Sequence, residues 1–244
     1  MKNVKIIGIL NITPDSFSDG GLYIDPIKAV ERAQQLFNDG ADIVDIGGES
    51  TKPGAKAVKP SEEWNRIKIV VETLCKKFPG KISLDTRNFC TAEKFCQAGG
   101  TIINDVSGFV DKKMIAIAAK YKTLCIVNHF PGKTIDEVHR RHLRSPKRIA
   151  RDLIHKKKEM LKAGILSKNI VLDPGIGFGK TMKCNWELLK FGSLLPNEKI
   201  LIGHSRKRFL GKNRFDPEVN KKAAQIAIKH GASYLRVHDP IIAT

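Results

Sequence analysis

Residues 41–85 read ADIVDIGGESTKPGAKAVKPSEEWNRIKIVVETLCKKFPGKISLD. An apolar, β-branched run, Ala41–Ile46, gives way to Gly, Ser and Pro, and then to Ser61–Lys77, where apolar residues recur at helical spacing. A second apolar run, Lys81–Leu84, follows. Neither run alternates apolar with polar, which suits strands buried on both faces of a parallel sheet. The same unit repeats along the chain. Further apolar runs occur at Val4–Ile12, Thr101–Val106, Thr123–Val127, Asn169–Leu172, Lys199–Ile202 and Ser233–Val237. Helical patterns lie between them at Pro26–Asn38, Thr91–Ala98, Lys112–Tyr121, Pro146–Ala163, Trp186–Leu194 and Glu218–His230. The first of these has Asp25 placed to cap it, Pro26 at its first position and Gly40 just past its end. Eight strands alternating with helices in 244 residues predict an α/β chain, a (β/α)8 TIM barrel forming one domain over residues 1–244. Only seven residues follow the last strand, so the pattern predicts a barrel lacking its last C-terminal helix.

The composition excludes several classes. With 41% hydrophobic and 28% charged residues the chain is not disordered. No apolar run approaches the roughly 18 residues of a membrane-spanning helix. The N-terminus offers only a short apolar run, Ile6–Leu10, so no signal peptide is expected. Five cysteines with no CxxC pair fit a reduced, cytoplasmic protein with buried thiols. The 43 Lys and Arg against 25 Asp and Glu give a net charge of +18, which raises the question of a polyanionic partner. Much of the excess falls in Arg140–Lys158, which reads as the solvated face of an outer helix. No aromatic residues interleave there as a single-stranded nucleic-acid platform requires, so neither a nucleic-acid nor a membrane partner is expected.

In such barrels chemistry sits at the carboxyl ends of the strands. Those ends carry Asn11, Asp45, Asp85-Thr86, Asn104-Asp105, Asn128-His129, Asp173-Pro174-Gly175, Gly203-His204-Ser205-Arg206-Lys207 and Arg236-Val237-His238. A loop hydrogen bond would explain Asp85 alone, and a satisfied rim histidine would explain His238 alone. Eight polar ends in succession exceed what structure needs. Asp85, Asn104 and Asp173 offer acceptors and an amide suited to the donor-rich edge of an aminopyrimidine-type heterocycle. Lys207, Arg236, His238 and Lys52 offer donors suited to phosphate or diphosphate oxygens.

Six ordered blocks carry a resemblance. Gly8–Gly21, Asp45–Gly54, Ile103–Asp105, Leu172–Lys180, Gly203–Lys207 and Arg236–Asp239 are similar to motifs of the dihydropteroate synthases, the sulfonamide target of folate synthesis. The resemblance implies a transferase that joins 6-hydroxymethyl-7,8-dihydropterin diphosphate to p-aminobenzoate, releasing pyrophosphate. It implies that Asp85, Asn104, Asp173 and Lys207 hold the pterin, and that Asn11 helps bind Mg2+. It further implies that Arg236 and His238, with Val237 between them, bind the diphosphate. Thr51, Lys52 and Pro53 would lie over p-aminobenzoate, with Phe178, Ser205 and Lys207 lining its pocket. Asp85, Lys207, Arg236 and His238 are the implied catalytic set. A homodimer built through the last helices is also implied.

Five positions depart from the family's pattern: Lys52 stands where Arg is usual, Asn128 where an apolar residue is usual, Ile176 where Phe is common, and the pair Arg87-Asn88 is atypical. Two alternatives stand beside the leading reading. One is a pterin-binding protein without turnover, against which the diphosphate-side residues argue; the other is a pterin-dependent methyltransferase, which would lack the paired motifs at residues 11–21 and 47–54.

Overall fold

The computed structural model describes residues 4–13, 25–50, 57–132 and 134–243. Eight strands form one parallel sheet: β1 (Lys5–Asn11), β2 (Ile43–Gly47), β3 (Ile82–Asp85), β4 (Ile102–Asp105), β5 (Leu124–Asn128), β6 (Ile170–Asp173), β7 (Leu201–Ile202) and β8 (Tyr234–Val237). Their order is β6-β5-β4-β3-β2-β1-β8-β7, and a parallel bridge between Leu172 and Ile200 brings β6 against β7. The sheet therefore returns on itself as the expected barrel.

The helices are α1 (Pro26–Asn38), α2 (Pro60–Lys77), α3 (Phe89–Gln97), α4 (Lys112–Tyr121), α5 (Ile135–His139), α6 (Pro146–Lys162), α7 (Met182–Leu188) and α8 (Pro217–Lys229). Four of them start on a proline, Pro26, Pro60, Pro146 and Pro217, whose missing N–H costs nothing in the first turn. Asp25, Ser145 and Asp216 accept hydrogen bonds from the exposed first-turn amides of α1, α6 and α8. The helices cover the sheet over a continuous core that includes Leu36, Ile67, Leu74, Phe95, Ile149 and Phe191, each essentially inaccessible. Each such side chain contributes about 1.5–3 kcal/mol through apolar area removed from water.

Three local expectations are corrected. The helix predicted at Trp186–Leu194 starts earlier, because the Thr181 hydroxyl caps it by accepting the Cys184 amide at 3.2 Å. It ends sooner, in a 3-10 turn at Phe191–Leu194, where Gly192 lies so close to the backbone of the β8-side turn that a Cβ would stand 2.4 Å from the His230 carbonyl. The unpredicted short helix α5 begins where the Thr134 hydroxyl accepts the Glu137 amide. Of the five thiols, Cys90 is exposed rather than buried. After β8, the only element among the described residues is the 3-10 turn Pro240–Ala243. None of the described helices is long and apolar enough to cross a membrane.

A second, smaller cluster fills the barrel's interior. Ile7, Ile43, Ile102, Ile126, Val171, Leu201 and Tyr234 pack together, one from each of seven strands. Side chains alternate faces along a strand, so the next inward residue is two positions on. Those residues are Ile9, Asp45, Asn104, Asn128, Asp173, Gly203 and Arg236; on the remaining strand Ser83 is followed by Asp85. Six of these eight upper positions are polar, so an apolar layer lies directly beneath a largely polar ring.

Candidate functional site

The ring is organised by one guanidinium. Arg236 on β8 donates from Nε to Asp45 Oδ2 at 2.6 Å and from Nη2 to Asp85 Oδ2 at 2.7 Å. The same Asp45 oxygen accepts Asn104 Nδ2 at 2.9 Å. Asp45 is fully buried, and its Oδ1 has no hydrogen-bond partner among the described residues. One carboxylate on β2 therefore orients both the cation on β8 and the amide on β4. Asn11 approaches from β1: a Cβ added at Gly47 would stand 3.5 Å from Asn11 Oδ1 and 3.9 Å from Asp85 Oδ2. Glycine there keeps the space between the amide and the carboxylate open.

Across the ring, Asp173 at the end of β6 accepts the Gly175 amide at 2.7 Å, and its other oxygen accepts Asn128 Nδ2 at 3.4 Å. Gly175 has φ +67°, and a Cβ there would lie 2.4 Å from the His129 carbonyl oxygen. Only glycine suits that left-handed, crowded turn. The chain then presents the Ile176 carbonyl, to which Lys207 donates from Nζ at 2.6 Å, and Phe178, over whose ring the same ammonium lies 5.3 Å from the centroid. The Ser205 hydroxyl lies 3.0 Å from His238 Nδ1 and accepts the His238 backbone amide at 3.3 Å. Val237 between Arg236 and His238 is buried and packs outward into the main core.

Burial sets the protonation of this ring. Loss of solvent raises the Asp85 carboxyl to about 7, against the pull of Arg236, and Asp45 adds to the rise. Asp173 is raised for the same reason, with Lys207 opposing. Burial lowers the Lys207 ammonium to about 8, the Asp173 charge resisting. Behind the ring, Lys180 is lowered to about 7 by burial and donates to the His129 carbonyl at 2.8 Å. Acids and bases with ordinary values far apart are thus brought to within reach of neutral pH, a mark of functional sites.

The structure gathers Asp85, Asn104, Asp173, Lys207, Arg236, His238, Ser205 and Phe178 at one end of the barrel with Asn11 beside them. Thr51, Lys52 and Pro53 lie outside the described residues. Two ring residues were not singled out by sequence reasoning as site residues. Asp45 was visible as a carboxylate inside an otherwise apolar strand, which only a buried cation could justify. Asn128, read as a polar strand end and a departure from the family's pattern, shares the Asp173 carboxylate. Chemically, the ring offers acceptors and amides for a flat, donor-rich heterocycle, and cations for an anionic group beside it.

The match to a family model for pterin binding enzymes spans residues 7–238. A dihydropteroate synthase of Bacillus subtilis is 38% identical over 96% of this chain and 83% of its own length. The crystal structure of a dihydropteroate synthase from Clostridium difficile in the presence of pteroic acid superposes with a TM-score of 0.88 at 33% identity, covering 99% of this chain and 93% of that one. The enzyme of Xanthomonas albilineans with 4-aminobenzoic acid also gives 0.88, at 34% identity over 98% of this chain and 89% of its own.

Proposed function

This chain belongs to the pterin binding enzymes, and from that premise we propose that it is a dihydropteroate synthase. It transfers the pterin methylene from diphosphate oxygen to the amine of p-aminobenzoate, forming 7,8-dihydropteroate and pyrophosphate in folate synthesis. The observation that carries this reading is the ring itself: Asp45, Asp85, Asn104, Asn128 and Asp173 face Lys207 and Arg236 at the same end of the barrel.

In this reading Asp173 accepts from the pterin's amino edge, Asn104 and Lys207 complete the ring's contacts, and Asp85 faces the methylene. Arg236 and His238 donate to the diphosphate. The C–O bond breaks with its electron pair leaving on pyrophosphate, and the positive charge left on the pterin methylene is opposed by the Asp85 carboxylate. The aniline nitrogen then forms the C–N bond and loses a proton. Thr51, Lys52, Pro53, Phe178 and Ser205 hold p-aminobenzoate in position for that attack. No covalent enzyme intermediate is needed, so no cysteine has to be catalytic.

The residues fit a hard cation. Asn11 brings an amide oxygen, Gly47 leaves room beside it, and no cluster of three His, Cys, Asp or Glu side chains suited to a metal exists among the described residues. Mg2+ would therefore be held by Asn11 together with diphosphate oxygens and water, and when bound it supplies positive charge to the departing diphosphate.

The test is pyrophosphate release from the pterin diphosphate with and without p-aminobenzoate, and with and without Mg2+. Release that depends on p-aminobenzoate, with dihydropteroate formed in equal amount, is the expected result. Tight pterin binding with no release would refute an enzyme and leave a binding protein.

A further inference from the structure

Lys180 is a buried ammonium that the chemistry proposed above does not use. It stands at the end of the loop that follows β6, and its Nζ reaches back beside Gly175 to donate to the His129 carbonyl, just past the end of β5, at 2.8 Å. His129 in turn donates its backbone amide to the Asp173 carbonyl at 2.8 Å. Asn128, one residue earlier, donates from Nδ2 to the Asp173 carboxylate at 3.4 Å. One face of Gly175 is crowded by all three residues: a Cβ there would stand 2.4 Å from the His129 carbonyl oxygen, 2.7 Å from Asn128 Oδ1 and 2.8 Å from Lys180 Nζ. The Lys180 backbone is itself held. Its carbonyl accepts Asn185 Nδ2 from α7 at 3.3 Å, and the oxygen of that side chain accepts the Gly177 amide of the same loop at 2.8 Å. The ammonium is thus anchored at its base and aimed at the strand end that holds Asp173.

We infer that Lys180 is a positioning residue for the pterin: it pins the end of β5 to the loop after β6 and sets a positive charge behind the buried Asp173 carboxylate. The inference rests on the proposed function, since that reading gives Asp173 the pterin's amino edge. The physical reason is that a carboxylate removed from water is a strong acceptor only while it keeps its charge, and burial works against that charge. Burial disfavours the ionised Asp173, and Lys207, the Gly175 amide, Lys180 and Arg236 favour it. Two of these cations also serve the ring's face, Lys207 on the Ile176 carbonyl and Arg236 on Asp45 and Asp85. Lys180 acts from behind. Burial disfavours its own charge, Asp173 favours it, Lys207 opposes it, and the Cys184 thiol on α7 favours it. The adjoining His129 ring, lowered to about 4 by burial and by Lys180, is neutral at pH 7 and meets Asp152 on α6 at 3.3 Å. Lys180 and Asp173 therefore support each other's charge across the Gly175 turn.

The experiment uses the full chain and two variants that remove the charge, Lys180→Met and Lys180→Gln. The second keeps a polar head and stands in if the first fails to fold. One readout needs no substrate. The chain is labelled with 13C at its aspartate carboxyls, the Asp173 signal is assigned by its loss in Asp173→Asn, and its titration is followed by NMR. Removing the cation should raise the Asp173 midpoint by about one pH unit or more. The other readout is calorimetry with 6-hydroxymethyl-7,8-dihydropterin diphosphate. Affinity at pH 7 should fall about tenfold or more, and the low-pH limit of binding should move up with the Asp173 midpoint. A lysine that merely filled space would lower Tm and leave the midpoint where it was. An unmoved midpoint in a folded variant, or a moved midpoint with unchanged affinity, would overturn the assignment. If the wild-type chain binds no pterin diphosphate the proposed function fails, and the Asp173 midpoint still decides whether Lys180 acts on it.

Discussion

Replacing Asp45 by Asn is the sharpest probe of the ring. The substitution keeps shape and removes a charge that is fully buried and bonded to two donors. Its amide oxygen will turn toward Arg236 Nε and Asn104 Nδ2, because the opposite orientation sets donor against donor. The new NH2 then occupies the Oδ1 position, which has no partner among the described residues. A buried donor left unsatisfied costs about 1–3 kcal/mol, and converting a charge-assisted bond to a neutral one costs about 1 kcal/mol more. The sum is about 3 kcal/mol. At about 2–4 °C per kcal/mol for a chain of this size, Tm should fall by about 6–12 °C in thermal unfolding followed by circular dichroism. Arg236 keeps Asp85 but loses its firmer anchor, so KM for the pterin diphosphate should rise about tenfold. The Asp45 charge also contributes to the raised Asp85 pKa, so the acid limb of the pH–rate profile should move to lower pH. A Tm within about 2 °C of wild type together with an unmoved acid limb would refute the view that Asp45 organises the ring.

Four other outcomes follow from the same geometry. Asp173→Asn replaces the acceptor that faces the pterin's amino edge by a group that can present a donor, and calorimetry should show pterin affinity falling at least about 100-fold; retained affinity would sink that assignment. With Asp85 needed ionised and raised to about 7, and Lys207 needed charged and lowered to about 8, kcat/KM should be bell-shaped, falling below about 7 and above about 8; a flat profile from pH 6 to 9 would contradict both roles. The linked stability has a definite sign: the Asp85 contribution is full below its ordinary value of 3.8 and is lost as pH rises through about 7, whereas that of Lys207 is lost as pH falls from 10.5 through about 8. Gly175→Ala should lose more than about 2 kcal/mol in denaturant unfolding, since it combines a left-handed backbone with a Cβ 2.4 Å from a carbonyl oxygen; an unchanged midpoint would mean that the turn moves freely.

The barrel was legible because its strands are unbroken apolar runs and its helices carry proline and acid start signals, as at Asp25-Pro26 and Asp216-Pro217. Two local misses came from hydroxyl caps at Thr181 and Thr134, and one was decided by distant backbone. The end of α7 depends on Gly192 meeting residues 230 and 231, which no local pattern announces. The site was legible as a list of strand ends, and Asp85, Asn104, Asp173 and Arg236 do converge. Their pairing was not legible. That Arg236 would bind Asp45 as well as Asp85, and that Asn128 would share Asp173, depend on which strands stand opposite each other around a closed sheet. Arg87 illustrates the same limit: in sequence it is a charge after Asp85-Thr86, and only the neighbouring β2 gives it Glu49.

The apolar layer beneath the ring has an evolutionary consequence. Packing and chemistry occupy alternate inward positions on the same strands: Ile43 and Asp45, Ile102 and Asn104, Val171 and Asp173, Tyr234 and Arg236. Substitution at the upper position can change what the barrel recognises while leaving the lower side chain where it is, so new specificities are open to point mutation. Insertion or deletion is a different matter. Losing one residue between the two, such as Val44 or Leu235, would bring a polar side chain to the position of an apolar one and turn the rest of the strand's pattern inside out. Such a scaffold should tolerate exchange at its rim far better than any change of length within its staves.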